Sequence, residues 1–359
     1  MSRQRTPRIV LAGAVNSSRL TLQALLRHEA RLVGVLGLSP EIGRGSGGYV
    51  DLAELSESEG VASASFENIN DLSVHEQVAS WEPDLLMVVG LSQMVRTRLL
   101  ELPVRGCVGY HPTALPRGRG RAPIAWLTCD GEDGAATFFV MTAEADAGAI
   151  LVQEPFEVSA GAYAADVVAR QSSAITRALD RWLPRLLDGW WDPVPQDETR
   201  ATWNGRRGPA DGWIDWSRPA DEIQGIIRTA SKPHPGAYTF SCGEKLIVWR
   251  AELERDWPIR GAVGRVLIDD ADRGLLVQTG EGLLWLSETE STRRPAVGCR
   301  LGFVVENELA KLTGRMAELE ARLDELSHDR SHDRSHDQSH DQSHDQSDEL
   351  SDESQRRVA

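Results

Sequence analysis

Residues 8–38 read RIVLAGAVNSSRLTLQALLRHEARLVGVLGL. An apolar run from Ile9 to Ala12 closes on Gly13. Leu20, Leu22, Leu25 and Leu26 then recur at helical spacing to about His28, and a second apolar run spans Leu32 to Leu38. Short continuous apolar runs suit strands buried on both faces, and a helix between two of them implies a right-handed crossover and parallel pairing. The pattern continues through a Gly-rich loop, helices near Val50–Glu59 and Val74–Ser80, and a third apolar run at Asp84–Gly90 (DLLMVVG). Further strands are expected near Cys107–Tyr110 and Ala136–Met141. A long helix over roughly Ala164–Leu187 aligns Val167, Val168, Ile175, Leu179, Trp182, Leu183 and Leu186. The fold class is α/β, a Rossmann-like parallel sheet.

The texture changes after Trp190, where turn formers dominate PVPQDETRATWNGRRGPADGWIDW. One helix (Pro219–Ala230) is followed by short alternating segments at Ala237–Ser241, Lys245–Ala251, Ala262–Ile268, Gly274–Thr279 and Gly282–Leu286. Short strands with Gly-rich turns at this spacing predict a small OB-like β-barrel. Val305, Leu309, Leu312, Met316, Leu319, Leu323 and Leu326 then follow a 4-3-4-3-4-3 spacing, a three-heptad apolar seam suited to a homodimeric coiled coil. Beyond it lies a Ser-His-Asp repeat. It holds five histidines (His328 to His344) but no apolar residue to fix a geometry, so it is expected to be a disordered extension. The expected domains are 7–195, 196–300, a coiled-coil helix at 303–326 and a tail at 327–359.

The 359 residues carry 54 acids against 39 Lys plus Arg, and residues 306–359 alone hold 15 acids and 7 bases. A body of net negative charge repels phosphate backbones, which disfavours a dedicated nucleic-acid binder. Cys107, Cys129, Cys242 and Cys299 form no CxxC, so neither a disulfide framework nor a structural zinc site is expected. The basic N-terminus leads into a strand rather than a signal peptide, and no run of about 18 apolar residues spans a membrane. A cytoplasmic protein without a metal is the expectation.

The chemistry concentrates in 106-GCVGYHPTALPRGRGRAPIAW-126 and 142-TAEADAGAIL-151. His111 follows a strand end, where open α/β sheets bind ligands. Asp146 lies 35 residues later, before Ala147–Gly148. A His and a carboxylate brought together by folding make a general base with a charge-stabilising partner. Taken singly, a His-Pro turn and an Asp-Ala-Gly turn are ordinary structural features. Gly43, Gly45 and Gly48 satisfy GxGxxG but do not follow a strand directly, so they are not read as a dinucleotide fingerprint.

Together, His-Pro-Thr-Ala-Leu-Pro, the Arg-Gly run and Asp-Ala-Gly resemble the folate-dependent formyltransferase family. PDLLMVVGLSQMV (83–95) resembles that family's cofactor loop, and 195–240 its linker and C-terminal barrel. The likeness covers about residues 7–290. It implies formyl transfer from 10-formyltetrahydrofolate to a primary amine, with His111 and Asp146 as the catalytic pair. It places the pterin on backbone groups of Leu91, Ser92, Gln93, Met94 and Val95, and of Met141, Thr142, Ala143 and Glu144. One departure matters. The family carries Asn two residues before the His, donating to the formyl oxygen, and this chain has Gly109. Such a donor is typically worth ~3 kcal/mol. Thr113, Arg121 and Asn16 are the candidate stand-ins.

Within the family, the tRNA branch grips its acceptor with a basic loop after the second strand. Here that loop, SPEIGRGSGGYVD (39–51), has one base and two acids, and would forgo the electrostatic attraction that dominates such binding. RGRAPIAW is similar to the amino-sugar branch. The favoured acceptor is therefore a small-molecule amine on a nucleotide-linked sugar. Next come a hydroxyornithine or other amino-acid amine, methionyl-tRNA, and a non-catalytic scaffold that uses the fold and the coiled coil. Arg117, Arg119 and Arg121 could meet a substrate phosphate, or could form a loop packed over the site. Trp203 could offer an aromatic platform, or join Trp213 and Trp216 in an interdomain core.

Overall fold

The computed structural model describes residues 6–45, 47–302 and 309–326. Residues up to Gly302 form one compact unit. Its first half holds strands β1 (Ile9–Gly13), β2 (Leu32–Leu38), β3 (Ser63–Phe66), β4 (Leu85–Val89), β5 (Cys107–His111), β6 (Arg119–Gly120), β7 (Gly134–Val140) and β8 (Ile150–Phe156). Its helices are α1 (Asn16–Arg27), α2 (Pro40–Gly43), α3 (Leu52–Ser58), α4 (Leu72–Ser80), α5 (Thr97–Leu100), α6 (Pro123–Asp130) and α7 (Ala164–Leu187).

Seven of these strands make one sheet in the order β3-β2-β1-β4-β5-β7-β8. The first five pair in parallel, as the alternation of strands and helices predicts. Strands β7 and β8 run antiparallel. The chain leaves β5 at His111, and Thr137 of β7 pairs with that same residue, so the intervening loop and the short α6 return it to the edge it left. The sequence reading missed β3 and β8. β3 is only four residues (SASF) with a single large apolar side chain, Phe66, and β8 is an edge strand interrupted by Pro155. Neither shows the continuous apolar run that marks a central strand.

Both faces of the sheet are covered. Leu22 and Leu25 of α1, and Val167, Ile175, Leu179, Trp182, Leu183 and Leu186 of α7, bury one face against Leu11, Met87, Val108 and Phe138. On the other face, Val74 and Val78 of α4 and Leu99 of α5 pack on Val10, Ala12, Leu86 and Val88. Because strand side chains alternate, Val108 lies in the first layer and Cys107 in the second. Gly109 and His111 share the Cys107 face.

The chain then passes through β9 (Trp203–Asn204) and α8 (Ala220–Ala230) to β10 (Ala237–Ser241), β11 (Glu244–Glu254), β12 (Val266–Asp270), β13 (Gly274–Gln278) and β14 (Leu283–Glu290). These last five form an antiparallel sheet in the order β10-β11-β14-β13-β12. Bridges from Ser241 to Leu301 and from Arg265 to Arg300 lay residues 300–301 across both outer strands. These bridges cover part of each outer edge, which limits unwanted edge pairing. Ile223 and Ile227 of α8 fill the interior with Trp216, Leu246, Val248 and Leu284.

Residues 309–326 form a helix. Its heptad residues Leu309, Leu312, Met316, Leu319, Leu323 and Leu326 are 57–66% exposed. Val305 and the Ser-His-Asp tail lie outside the described residues. Among the described residues, no helix is long and apolar enough to cross a membrane.

Candidate functional site

His111 ends β5 and is buried. Its Nε2 lies 2.9 Å from the carbonyl oxygen of Gly118. A carbonyl only accepts, so Nε2 carries the proton and Nδ1 keeps its lone pair. That nitrogen faces Asp146 Oδ2 at 3.7 Å. Folding thus unites two residues 35 positions apart. Burial lowers the His111 pKa, while the Asp146 carboxylate, and to a lesser degree the Gly118 carbonyl, act in the opposite sense. The ring is a neutral base facing an anion.

Asp146 adopts a left-handed backbone with φ of 56°, uncommon for a residue with a side chain. Its Oδ2 accepts from the Gly120 N–H at 2.9 Å. Gly148 is obligatory in this loop, because a Cβ there would sit 1.6 Å from the Val140 carbonyl oxygen. The Asp-Ala-Gly run is therefore a constrained turn.

The Arg-Gly run turns out to be structural at its centre. Arg119 is fully buried. It donates to both oxygens of Glu198, at 2.8 and 2.7 Å, and twice to Gln196 Oε1, with Trp203 over the guanidinium. These partners occupy the group that the sequence reading offered to a substrate phosphate. Arg117 and Arg121 are exposed. Trp216 is a barrel core residue donating to Thr239, whereas Trp203 and Trp213 stay about half exposed, so the three form no single cluster.

Linker residues 202–204 pair with the Gly118–Arg121 loop. Gly118 N–H donates to Thr202 Oγ1, Arg119 N–H to the Thr202 carbonyl, and Arg121 N–H to the Asn204 carbonyl. Gln196 and Glu198 went unnoticed in the sequence because nothing local to PQDET signals a contact nearly 80 residues away. A buried chain, in which Gln153 donates to Thr137 Oγ1 and Thr137 to the Thr113 carbonyl, supports the loop from below.

The space beside Gly109 is filled. A Cβ built there would meet Phe139 Cζ at 2.8 Å and Met141 Cγ at 2.9 Å. Of the three stand-ins, Thr113 is buried and its hydroxyl lies 3.3 Å from the Gly118 carbonyl that also binds His111. Asn16 donates to Ser172 on the opposite side of the sheet, and Arg121 is exposed.

In the segment Leu91–Val95, Gln93 accepts from Ile69 N–H and donates to the Glu67 carbonyl, while Val95 is buried and Met94 is 58% exposed. Asn70 ties the same loop down by donating to the Met94 carbonyl. In the segment Met141–Glu144, Thr142 Oγ1 donates to the Glu144 carbonyl and Ala143 is exposed. Side chains brace both loops from within, which leaves backbone and apolar surface outward.

Against known proteins, the family described as formyl transferase matches residues 53–182, and the formyl transferase C-terminal domain matches residues 207–300. The chain belongs to the formyl transferase family. Solved structures with the same formyltransferase fold include HypX from Aquifex aeolicus in complex with tetrahydrofolic acid. It is 18% identical with a TM-score of 0.57, over 80% of this chain and 45% of that one. The chain thus spans less than half the length of that protein. An N-formyltransferase from Helicobacter canadensis, in complex with folinic acid and dTDP-3-aminofucose, is 13% identical with a TM-score of 0.59, over 79% of this chain and 100% of the other. WlaRD, a sugar 3N-formyl transferase, gives 13% and 0.56 over 81% and 99%.

Proposed function

We propose that this formyltransferase moves a formyl group from 10-formyltetrahydrofolate to the primary amine of a nucleotide-linked amino sugar. The observation that carries the reading is the neutral His111 Nδ1 facing Asp146 Oδ2 at 3.7 Å, with Nε2 committed to Gly118. The acceptor amine arrives as an ammonium and must lose a proton before it attacks. His111 Nδ1 takes that proton, and Asp146 stabilises the imidazolium that results. Nδ1–H is then the group that returns a proton to the departing nitrogen.

The loops fit a pterin. Leu91–Val95 and Met141–Glu144 offer backbone groups, and exposed Met94 offers an apolar surface for a flat ring. The co-substrate would supply an activated one-carbon unit at this place. The filled space beside Gly109 means that no side chain at that position donates to the formyl oxygen.

A cavity of about 530 Å³ lies at the ends of β1 and β2, bordered by Asn16, Arg44, Gln171, Ser172 and His234. Its volume suits a small ligand. Gln171 on its wall donates to the hydroxyl of Tyr110, whose ring packs on Phe138 on the face of the sheet opposite His111. The single base in the 39–51 loop and the sugar-modifying fold neighbours favour a small acceptor over tRNA.

Steady-state tetrahydrofolate release with a panel of nucleotide-linked amino sugars, hydroxyornithine and charged tRNA tests the assignment. Turnover is expected with the sugars. Turnover confined to hydroxyornithine, or tight and steeply salt-dependent tRNA binding, overturns the acceptor. Gly109 motivates a second reading, a folate-binding scaffold. Retained folate binding with no release for any amine would establish it.

A further inference from the structure

Three consecutive residues of the catalytic loop divide the labour. The Gly118 carbonyl holds His111 Nε2 at 2.9 Å, and the Gly120 N–H holds Asp146 Oδ2 at 2.9 Å. Between them, the Arg119 side chain points away into the protein and is fully enclosed. Its fork grips Glu198, and it also donates to Gln196 Oε1, from Nε at 3.2 Å and from a terminal nitrogen at 2.8 Å. With its oxygen so engaged, Gln196 must present its amide nitrogen on the other side. That nitrogen donates to the carbonyls of Asp146 and Gly148, each at 2.7 Å. The Arg119 guanidinium, held by the interdomain linker, is thus connected to Asp146 through Gln196, while its backbone neighbours Gly118 and Gly120 bind His111 and Asp146.

We propose that Arg119 and Gln196 are positioning residues that set the separation of His111 and Asp146, a role that rests on the formyl-transfer reading above. The left-handed φ of 56° at Asp146 is unfavourable by itself, and strained backbone persists only where its surroundings over-determine it. The two carbonyl contacts from Gln196 supply that constraint. Arg119 selects the Gln196 amide orientation, because a guanidinium has only donors. It also fixes the spacing of Gly118 and Gly120 along the loop. Misplacing catalytic groups by about 1 Å can cost 10²-fold in rate.

The test uses the full chain with Gln196→Met, which keeps length but cannot donate, and Arg119→Lys, which keeps charge but loses the fork. Both are compared with Glu76→Gln, an exposed change on α4 outside the network of Arg119, Gln196, Glu198 and Asp146. For Gln196→Met and Arg119→Lys, kcat should fall by about ten- to a hundredfold with KM for 10-formyltetrahydrofolate nearly unchanged. The His111 imidazole, followed by NMR without substrate, should titrate at lower pH, because the Asp146 carboxylate no longer sits opposite Nδ1. Glu76→Gln should retain the activity and the wild-type titration.

Unchanged kcat and an unchanged His111 titration in a folded Gln196→Met overturn the proposal, as does a loss that falls on KM alone. Should Arg119→Lys fail to fold, Gln196→Met still decides the matter. The two readings fail separately. Wild-type protein inactive on every amine, with the titration moved in Gln196→Met, ends formyl transfer but supports positioning. An active wild type with no response in either variant ends positioning alone.

Discussion

At the residue scale, the decisive feature is which ring nitrogen of His111 is free. The Gly118 carbonyl settles it in favour of Nδ1. His111→Asn should abolish a base, and Asp146→Asn should remove its counter-charge. Each is expected to lower kcat by about 10²–10⁴-fold while folate binding, measured by fluorescence titration, persists. The pH dependence follows from burial. Because His111 titrates below the ordinary value of about 6.5, kcat/KM should rise with pH through a midpoint under that value and stay flat near neutrality. Its effect on stability has the matching sign. An unfolded chain binds this proton more readily, so the contribution is present above pH ~6.5 and is lost as pH falls through the folded midpoint. A rate profile with a midpoint above 6.5 would contradict the assigned environment. Gly109→Asn restores the family's residue type but meets Phe139 and Met141. It should destabilise the protein by ~1–3 kcal/mol in thermal unfolding and bring no gain in kcat.

At the element scale, two surfaces distant in sequence meet in the barrel. Cys242, in the β10–β11 turn, and Cys299, beside the closing residues 300–301, place their sulfurs 3.9 Å apart. Four cysteines spread along a sequence without CxxC gave no sign of this. Both thiols are at least partly accessible, whereas Cys107 is buried with its pKa pushed up to about 12 and stays protonated. Mild oxidation by glutathione disulfide should therefore join Cys242 to Cys299, with the two electrons and two protons passing to glutathione. Intact mass should drop by about 2 Da, an effect absent in Cys242→Ser and Cys299→Ser but retained in Cys129→Ser. The closed loop should raise the thermal midpoint, as disulfides of this span commonly contribute ~2–4 kcal/mol. A mixed disulfide at Cys129 as the main product would refute the pairing. The helix α7 is the opposite case, where local pattern suffices. Its apolar residues recur so regularly that the predicted bounds, Ala164–Leu187, coincide with the observed ones.

For the whole molecule, residues 6–302 carry the sheet, the barrel and the His111–Asp146 pair, and the helix at 309–326 belongs to a separate unit. Its heptad side chains are exposed in one chain, and Leu-rich a and d positions are stable in water when a partner helix covers them. The occupant expected is the same helix of a second copy. Light scattering should give an oligomer for the full chain and a monomer after deletion from Val305, with formyl transfer kept by the shorter chain. An unchanged mass on deletion would remove any dimerising role for the heptads.

The sequence by itself determined the parallel half of the sheet, the barrel region and the bounds of α7, and it singled out His111 and Asp146 as candidates. Each of these is written in short-range periodicity or in a compact motif. Only the tertiary structure decided that β7 and β8 run back antiparallel and that Arg119 faces inward to Glu198. It alone also showed that Phe139 and Met141 crowd the position of a side chain on Gly109. Those outcomes depend on contacts across many tens of residues, where side-chain identity sets what a group can do and packing sets what it meets.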